Sequence, residues 1–283
     1  MAEPVQPRAF VTGWPVAHSR SPMIHGTWLA ELGLPGSYEA VAVEPQDFAA
    51  FLGGLRTQGF VGGNVTIPHK EAAFALVDRR DAAAEAIGAV NTLWFEGGTL
   101  VGGNTDAYGF STNLDERLDG WRSAGRALVL GAGGAARAVV HALLSAGIPD
   151  IRVVNRTRER AEALAADFGP KVQGFGSQAE AGELRLADLV VNTRPGGKAG
   201  RRDLDALPDL SHVKQDALAT DIVYVPLETP FLQAAKARGL STADGLGMLL
   251  HQAVPGFERW FGVKPTVGSS LRSAIERDIL EAL

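Results

Sequence analysis

The chain has 283 residues, long for one hydrophobic core and suited to two domains, and its 46% apolar and 21% charged content is that of a globular protein. A formal net charge of -5 with no basic cluster interleaved with aromatics gives no electrostatic basis for nucleic-acid binding, and the lack of cysteine excludes disulfides, thiolate catalysis and Cys-ligated metals. The opening MAEPVQPRAF has no basic region leading into an apolar run, and no apolar stretch reaches the roughly 18 residues of a membrane span, so a cytoplasmic protein without a membrane partner is expected.

The first predicted element is a short strand, Ala9 to Thr12, followed by a turn at Gly13 to Pro15. A helix is predicted from Ser21, with Ser21 as its cap, Pro22 at the first helical position and Gly33 as its end. SYEAVAVEP reads as a second strand with Tyr38, Val41 and Val43 at its apolar positions, and PQDFAAFLGGL as the helix after it. In FVGGNVTIPHKEAAFALV a strand runs into Pro68, which cannot donate to a ladder. His69 and Lys70 therefore stand at the strand's C-terminal end or in the first turn of the next helix. Two further strands join through Gly97 and Gly98 as a hairpin, and Asp106 follows near a helix N-terminus, where a carboxylate is favoured and a plain cap is the simplest role.

From residue 127 strand and helix alternate, the rhythm of a parallel sheet with crossover helices. The predicted fold is two-domain α/β: a discontinuous N-terminal α/β domain over 1–109, a Rossmann-like domain with a mainly parallel sheet over 110–244, and C-terminal helices over 245–283 packing back on the first domain. In ALVLGAGGAARAVVHALLSAG an apolar strand meets Gly131, Gly133 and Gly134 and then a helix. Gly131, Gly133 and Ala136 fill the three positions of a dinucleotide fingerprint, where a Cβ would block the turn or the approach of a pyrophosphate to the helix N-terminus. The next strand ends in VVNRTRER, with Asn155, Arg156, Thr157 and Arg158 where an NAD site places an acid on the ribose 2′-hydroxyl. Without that repulsion, and with a guanidinium able to grip a 2′-phosphate, the expected cofactor is NADP, with Arg156 as the leading contact. His18, His25 and His69 lack a carboxylate or a fourth ligand at recognisable spacing, so no metal is expected. The five tryptophans, Trp14 among them, are read as packing groups.

Taken together, GWPVAHSRSP (13–22), GGNVTIPHK (62–70), GAVNT (88–92), GGNTDAYG (102–109), GAGGAARA (131–138), NRT (155–157), DIVYVPLETP (221–230) and GLGMLLHQA (245–253) resemble the shikimate dehydrogenase family, in its order and over nearly the whole chain. The resemblance implies reversible NADPH-dependent reduction of 3-dehydroshikimate to shikimate in the aromatic amino acid pathway, with the substrate at an interdomain cleft. It assigns catalysis to Lys70 and Asp106, and substrate binding to Ser19, Ser21, Asn64, Thr66, Asn91, Tyr224 and Gln252. Cofactor binding falls to Gly131, Gly133, Gly134, Ala135, Asn155, Arg156, Thr157, Arg158 and Gly245. The chemistry suits these types: charge grows on the carbonyl oxygen as hydride arrives, so a cation able to give a proton lowers the barrier, and a polyhydroxylated ring asks for hydroxyl and amide partners.

Two departures stand out. Gly26 replaces an Asn usual in the family, removing a polar side chain near the cleft, and VNTRPGGKAG adds Arg194 and Lys198 to the loop after the fourth strand of the nucleotide domain, around Gly196 and Gly197. A dual shikimate and quinate dehydrogenase, or a noncatalytic ligand-binding relative, are the alternatives. The partner expected is a small molecule, with a monomer or homodimer as the assembly.

Overall fold

The computed structural model describes residues 6–194 and 207–282, which divide into two compact units. One runs to Thr105 and includes Gln252–Arg277; the other is Asp106–His251 with the residues from Asp278 onward.

In the first unit β1 (Arg8–Gly13), β2 (Ser37–Ala42), β3 (Phe60–Val65), β4 (Arg79–Arg80), β5 (Thr92–Glu96) and β6 (Thr99–Gly103) form one mixed sheet in the order β2-β1-β3-β5-β6-β4. Strand β1 lies between β2 and β3 and is parallel to both. Its side chains alternate between faces: Phe10 joins Phe48, Leu52, Leu55 and Leu93 on one side, while Ala9 and Val11 join Tyr38, Trp94 and Trp260 on the other. The β5–β6 hairpin turns on Gly97 and Gly98, whose φ values of 55° and 108° a side chain would resist. Helices α1 (Ser21–Leu32), α2 (Phe48–Gly53), α3 (Lys70–Leu76) and α4 (Ala82–Ile87) complete the unit. Asp81 caps α4 by accepting from the Ala84 N–H at 2.7 Å, and Gly33 closes α1 in the left-handed conformation.

The second unit begins with α5 (Asp106–Arg117). Then β7 (Arg126–Leu130), α6 (Gly134–Ser145), β8 (Asp150–Asn155), α7 (Arg158–Phe168), β9 (Val172–Gly176), α8 (Glu180–Leu186), β10 (Leu189–Asn192), β11 (Leu218–Asp221), α9 (Pro230–Ala237) and β12 (Ser241–Ala243) alternate. All six strands are parallel, in the order β12-β11-β10-β7-β8-β9. That is the doubly wound Rossmann order, whose switch point lies between β7 and β10. Ala127 to Leu130 are fully buried, as a strand covered on both faces requires. Two helices follow, α10 (Leu246–Phe261) and α11 (Ser269–Glu281), and the division between units crosses α10 after His251.

The structure departs from the sequence reading at several points. Ser21 is the first helical residue, not the cap; Arg20 holds the cap position and Ser19 Oγ accepts the Ser21 N–H at 3.3 Å. Strand β11 stops at Asp221, whose carboxylate accepts the Val223 N–H at 2.9 Å and turns the backbone out of the ladder, so the rest of the DIVYVPLETP segment is not strand. Asp106 to Gly109, placed with the first domain, fall in the second unit, since α5 packs on α6 and β12. Trp14 is 45% exposed, unlike the four other tryptophans, which are buried.

One buried group has a consequence for stability. The His25 ring is fully buried, stacked on Tyr38 with centroids 4.0 Å apart, and neither nitrogen has a hydrogen-bond partner among the described residues. Burial pushes its pKa down to about 3, so the folded chain keeps it neutral. Below pH 6.5 the unfolded chain takes up a proton that the folded chain refuses. The stability this neutrality confers is complete above pH 6.5 and is lost as pH falls toward about 3, at roughly 1.4 kcal/mol per pH unit. Urea unfolding of wild type and His25→Phe between pH 7 and pH 4.5 is expected to show a steeper acid decline in wild type, and parallel pH profiles would contradict the assignment.

Candidate active site

Polar groups gather where β1, β3 and β6 end. Gly13 closes β1, and a Cβ there would stand 2.5 Å from Thr66 Cγ2 and 2.9 Å from the Ile67 carbonyl, so only glycine lets the segment after β3 pass so close. That segment carries Thr66, held by its N–H to the Thr12 carbonyl at 2.8 Å, and then Lys70 as the first residue of α3. His69 is fixed beneath it: its Nε2 lies 2.7 Å from the Val43 carbonyl and its ring stacks on Phe48 at 4.3 Å. The Lys70 carbonyl accepts from Val90 N at 3.0 Å, tying the start of α3 to the segment before Asn91. Lys70 itself is half-buried and carries contacts of its own.

A buried amide network surrounds this point. Tyr38 Oη donates to Asn64 Oδ1 at 2.6 Å, and Asn64 Nδ2 donates to the Asn91 carbonyl and to Thr92 Oγ1 at 3.1 and 3.2 Å. Asn91 Oδ1 accepts from Thr105 N at 2.9 Å and from Thr92 Oγ1 at 2.8 Å, and Asn91 Nδ2 donates to Thr105 Oγ1 at 3.2 Å. Thr105 Oγ1 in turn lies 3.5 Å from Gln252 Oε1 on α10. Burial pushes the Tyr38 hydroxyl pKa well up, against the pull of the Ser21 side chain and the Asn64 backbone, so Tyr38 remains a donor. Thus Asn64, Asn91 and Gln252 come together, with Ser21 beside Tyr38. Asn64, expected to touch the ligand, is 5% exposed with both amide atoms engaged by the protein. Tyr38, Thr92 and Thr105 escaped the sequence reading because apolar patterning claims Tyr38 for the core, and only tertiary pairing gives the threonine hydroxyls partners. At the Gly26 departure, Gly26 is exposed on α1 and a Cβ there would meet nothing within 4 Å.

Asp106 opens the second unit as the first residue of α5, where the helix dipole favours its charge. The remaining second-unit residues cluster at the sheet's switch point. Gly131 turns at φ 111°, and a Cβ there would lie 2.6 Å from Thr193 Oγ1, which donates to the Leu130 carbonyl at 2.9 Å. Gly133 and Gly134 are different: their Cβ positions face open space at the N-terminus of α6, which has no side-chain cap and no acid in its first turn. Ala135 lies exposed beside them, while Ala136 is buried under the turn. Such an uncapped end, with glycine-lined room before it, fits a pyrophosphate. At the end of β8, Asn155 Nδ2 donates to the Thr157 carbonyl at 2.9 Å, and Arg156 is exposed with no ion pair to any described residue. Arg158 is held by Glu162 at 2.7 Å, which weakens its claim on a ligand. Gly245 is needed for approach, since a Cβ would stand 2.3 Å from the Ile222 carbonyl, and Tyr224 is half-buried just past β11.

Asp221, which the sequence reading did not single out, is 1% exposed and ties this end together, accepting from Thr229 Oγ1 at 2.7 Å and Asn192 Nδ2 at 3.0 Å. Its burial raises its pKa, with these donors pulling the other way. Arg194 does not project free charge as its sequence context suggested: its guanidinium pairs with Glu180 and is only 13% exposed. Gly196, Gly197 and Lys198, and the loop through 199 that the sequence reading singled out, lie outside the described residues. Among the described residues no three His, Asp or Glu side chains assemble into a metal site; His18, His25 and His69 point to separate surroundings.

A parallel Rossmann sheet with an anion-ready glycine turn, in one chain with a mixed-sheet unit rich in buried amides, is the make-up of a two-unit nucleotide-dependent dehydrogenase. Family profiles resolve it further. The shikimate dehydrogenase substrate binding domain matches residues 11–93, the shikimate / quinate 5-dehydrogenase domain residues 115–193, and the shikimate 5'-dehydrogenase C-terminal domain residues 245–268. The chain is 59% identical to a shikimate dehydrogenase (NADP(+)) of Brucella melitensis, over 97% of this chain and 96% of that one. It superposes on a Thermus thermophilus shikimate 5-dehydrogenase solved with NADP(H) and shikimate, at 40% identity and a TM-score of 0.81, covering 98% and 100% of the two chains. A Corynebacterium glutamicum quinate dehydrogenase in complex with NAD gives 30% identity and a TM-score of 0.85 over 98% and 99%. The chain belongs to the shikimate dehydrogenase family.

The two kinds of glycine in the turn separate experimentally. Gly131→Ala is expected to lower stability by about 1–3 kcal/mol through strain at its positive φ, whereas Gly134→Ala should leave stability within about 0.5 kcal/mol of wild type and weaken dinucleotide binding instead. Calorimetric melting and binding titrations of both variants check this, and equal melting temperatures would count against it.

Proposed function

We propose that this chain is an NADP-dependent shikimate dehydrogenase, reducing 3-dehydroshikimate to shikimate reversibly in aromatic amino acid biosynthesis. The likeness over almost the full length of both chains to a shikimate dehydrogenase (NADP(+)) carries the reading. The fit of the second unit's glycine turn, and of the exposed Arg156 with no ion pair among the described residues, to a phosphorylated dinucleotide supports it. NADPH, when bound, supplies the hydride that reaches the ketone carbon. The α6 N-terminus holds its pyrophosphate, and Asn155, Arg156 and Thr157 receive the 2′-phosphate, where a guanidinium offers directed charge-assisted bonds.

Catalysis falls to Lys70 and Asp106. As negative charge grows on the carbonyl oxygen, the Lys70 Nζ stabilises it and then delivers a proton, giving the hydroxyl; in the reverse direction the same nitrogen takes that proton back. The Asp106 carboxylate accepts from a ring hydroxyl of the substrate and holds it in position. Ser19, Ser21, Thr66, Asn91, Tyr224 and Gln252 receive the substrate carboxylate and hydroxyls, and a ring lacking one matched hydroxyl leaves its partner unpaired at a cost.

Lys70→Ala is expected to lower kcat by about 10²–10⁴-fold with the circular dichroism spectrum and melting temperature retained. Near-normal turnover in steady-state shikimate oxidation would overturn the role. Arg156→Ala should raise the KM for NADP about tenfold or more and leave the KM for NAD nearly unchanged, since only the former carries the 2′-phosphate. Parallel changes in both would remove Arg156 from the phosphate site. Running the same assay with quinate sets the breadth of substrate choice.

A further inference from the structure

Asp221 closes β11 at 1% exposure, and the groups that meet its carboxylate all bring hydrogens to it. The Val223 backbone N–H, 2.9 Å from Oδ1, can only donate. Asn192 Oδ1 is occupied by the Arg194 backbone N–H at 3.3 Å, so the Asn192 atom 3.0 Å from Asp221 Oδ2 is the amide nitrogen. Thr229 Oγ1 accepts the Leu232 N–H at 3.3 Å and turns its own proton to Oδ2 at 2.7 Å. Three converging donors suit the ionised form, which burial opposes. The fold therefore holds a negative charge here with neutral groups alone: among the described residues no Lys, Arg or His pairs with Asp221.

The place of this charge in the sheet gives it a use. In the order β12-β11-β10-β7-β8-β9 the switch point lies between β7 and β10. A pyrophosphate at the N-terminus of α6 stands at that point, and Asn155 and Arg156 at the end of β8 receive the adenosine side. The nicotinamide half of the same dinucleotide is left the ends of β10 and β11, which Asn192 and Asp221 close and tie together. We propose that Asp221 is a buried counter-charge for the oxidised nicotinamide ring: its carboxylate favours NADP+ over NADPH at the dinucleotide site of the second unit. Departure of a hydride leaves the ring with one more positive charge, and that is the whole difference in charge between the two forms. A fixed carboxylate shielded from water acts on the ring without touching it, and also favours the charge that grows there as the hydride leaves. The inference rests on the proposed assignment of NADP to this unit.

Calorimetric titrations of the full chain with NADP+ and with NADPH, in the absence of shikimate, test this. Asp221→Asn keeps the size of the side chain and removes its charge, and is expected to weaken NADP+ about three- to tenfold while NADPH changes by less than about twofold. The exchange variant Asp221→Asn/Asn192→Asp reverses the hydrogen bond between the two side chains and returns a carboxylate to the same pair, so its ratio of NADP+ to NADPH affinity moves back toward wild type. A residue that only held the strand ends together would weaken both forms alike and leave the ratio fixed. Equal losses for the two forms, an unchanged ratio in Asp221→Asn, or no recovery in the exchange variant would overturn the inference. If Asp221→Asn does not fold, Asp221→Asn/Asn192→Ser, which takes away the amide donor facing position 221, serves as the neutral variant. Equal ratios in it and in the exchange variant would overturn the inference too. A wild-type chain that binds neither form defeats the NADP assignment itself, whereas failure of the counter-charge alone leaves both forms bound.

Discussion

A strand covered on both faces cannot carry chemistry along its length. Its N–H and C=O groups are consumed by the ladder, and its side chains by the core, as the fully buried run from Ala127 to Leu130 illustrates. Polar groups become available only where the strands stop. The rest of this protein follows from that constraint: Gly13 and Thr66 at the ends of β1 and β3, Gly131 after β7, Asn155 at the end of β8, and Asn192 and Asp221 closing β10 and β11. Glycine recurs there for steric reasons, because strand ends crowd one another. A Cβ on Gly13 would collide with Thr66, and one on Gly131 with Thr193.

Polar side chains drawn into such crowded ends must satisfy one another. The first unit does this with neutral amides and hydroxyls, from Tyr38 to Gln252, rather than with buried charge. Neutral groups avoid the desolvation cost of ions. The second unit tolerates a buried carboxylate, Asp221, only with a hydroxyl, an amide and a backbone N–H all donating to it. Arg194 follows the same rule, its charge met by Glu180.

Much of this was legible in the residues themselves. The run of apolar residues into GAGG announced a buried parallel strand and an anion-receiving helix end, and the structure places Gly133 and Gly134 against open space there. Pro68 announced the end of β3 and put Lys70 at the strand's end or in the first turn of the next helix, and it stands as the first residue of α3. The hairpin at Gly97 and Gly98 followed from two glycines between apolar runs. These features are local: each depends on a residue's own backbone preference or on the spacing of its near neighbours.

What local reasoning could not supply were the partners of atoms far apart in sequence. Nothing in SYEAVA distinguishes Tyr38 as a donor from Tyr38 as core filler; that depends on Asn64, 26 residues away, being parallel two strands over. Arg194 read as added positive charge until folding brought Glu180 against it. The sequence by itself determined the elements, the glycine turns and the chemical types available at the strand ends, because these are set by steric and propensity effects within a few residues. Only the tertiary structure decided which of those groups are spent on one another, because a hydrogen bond's partner and direction depend on three-dimensional proximity that chain order does not encode.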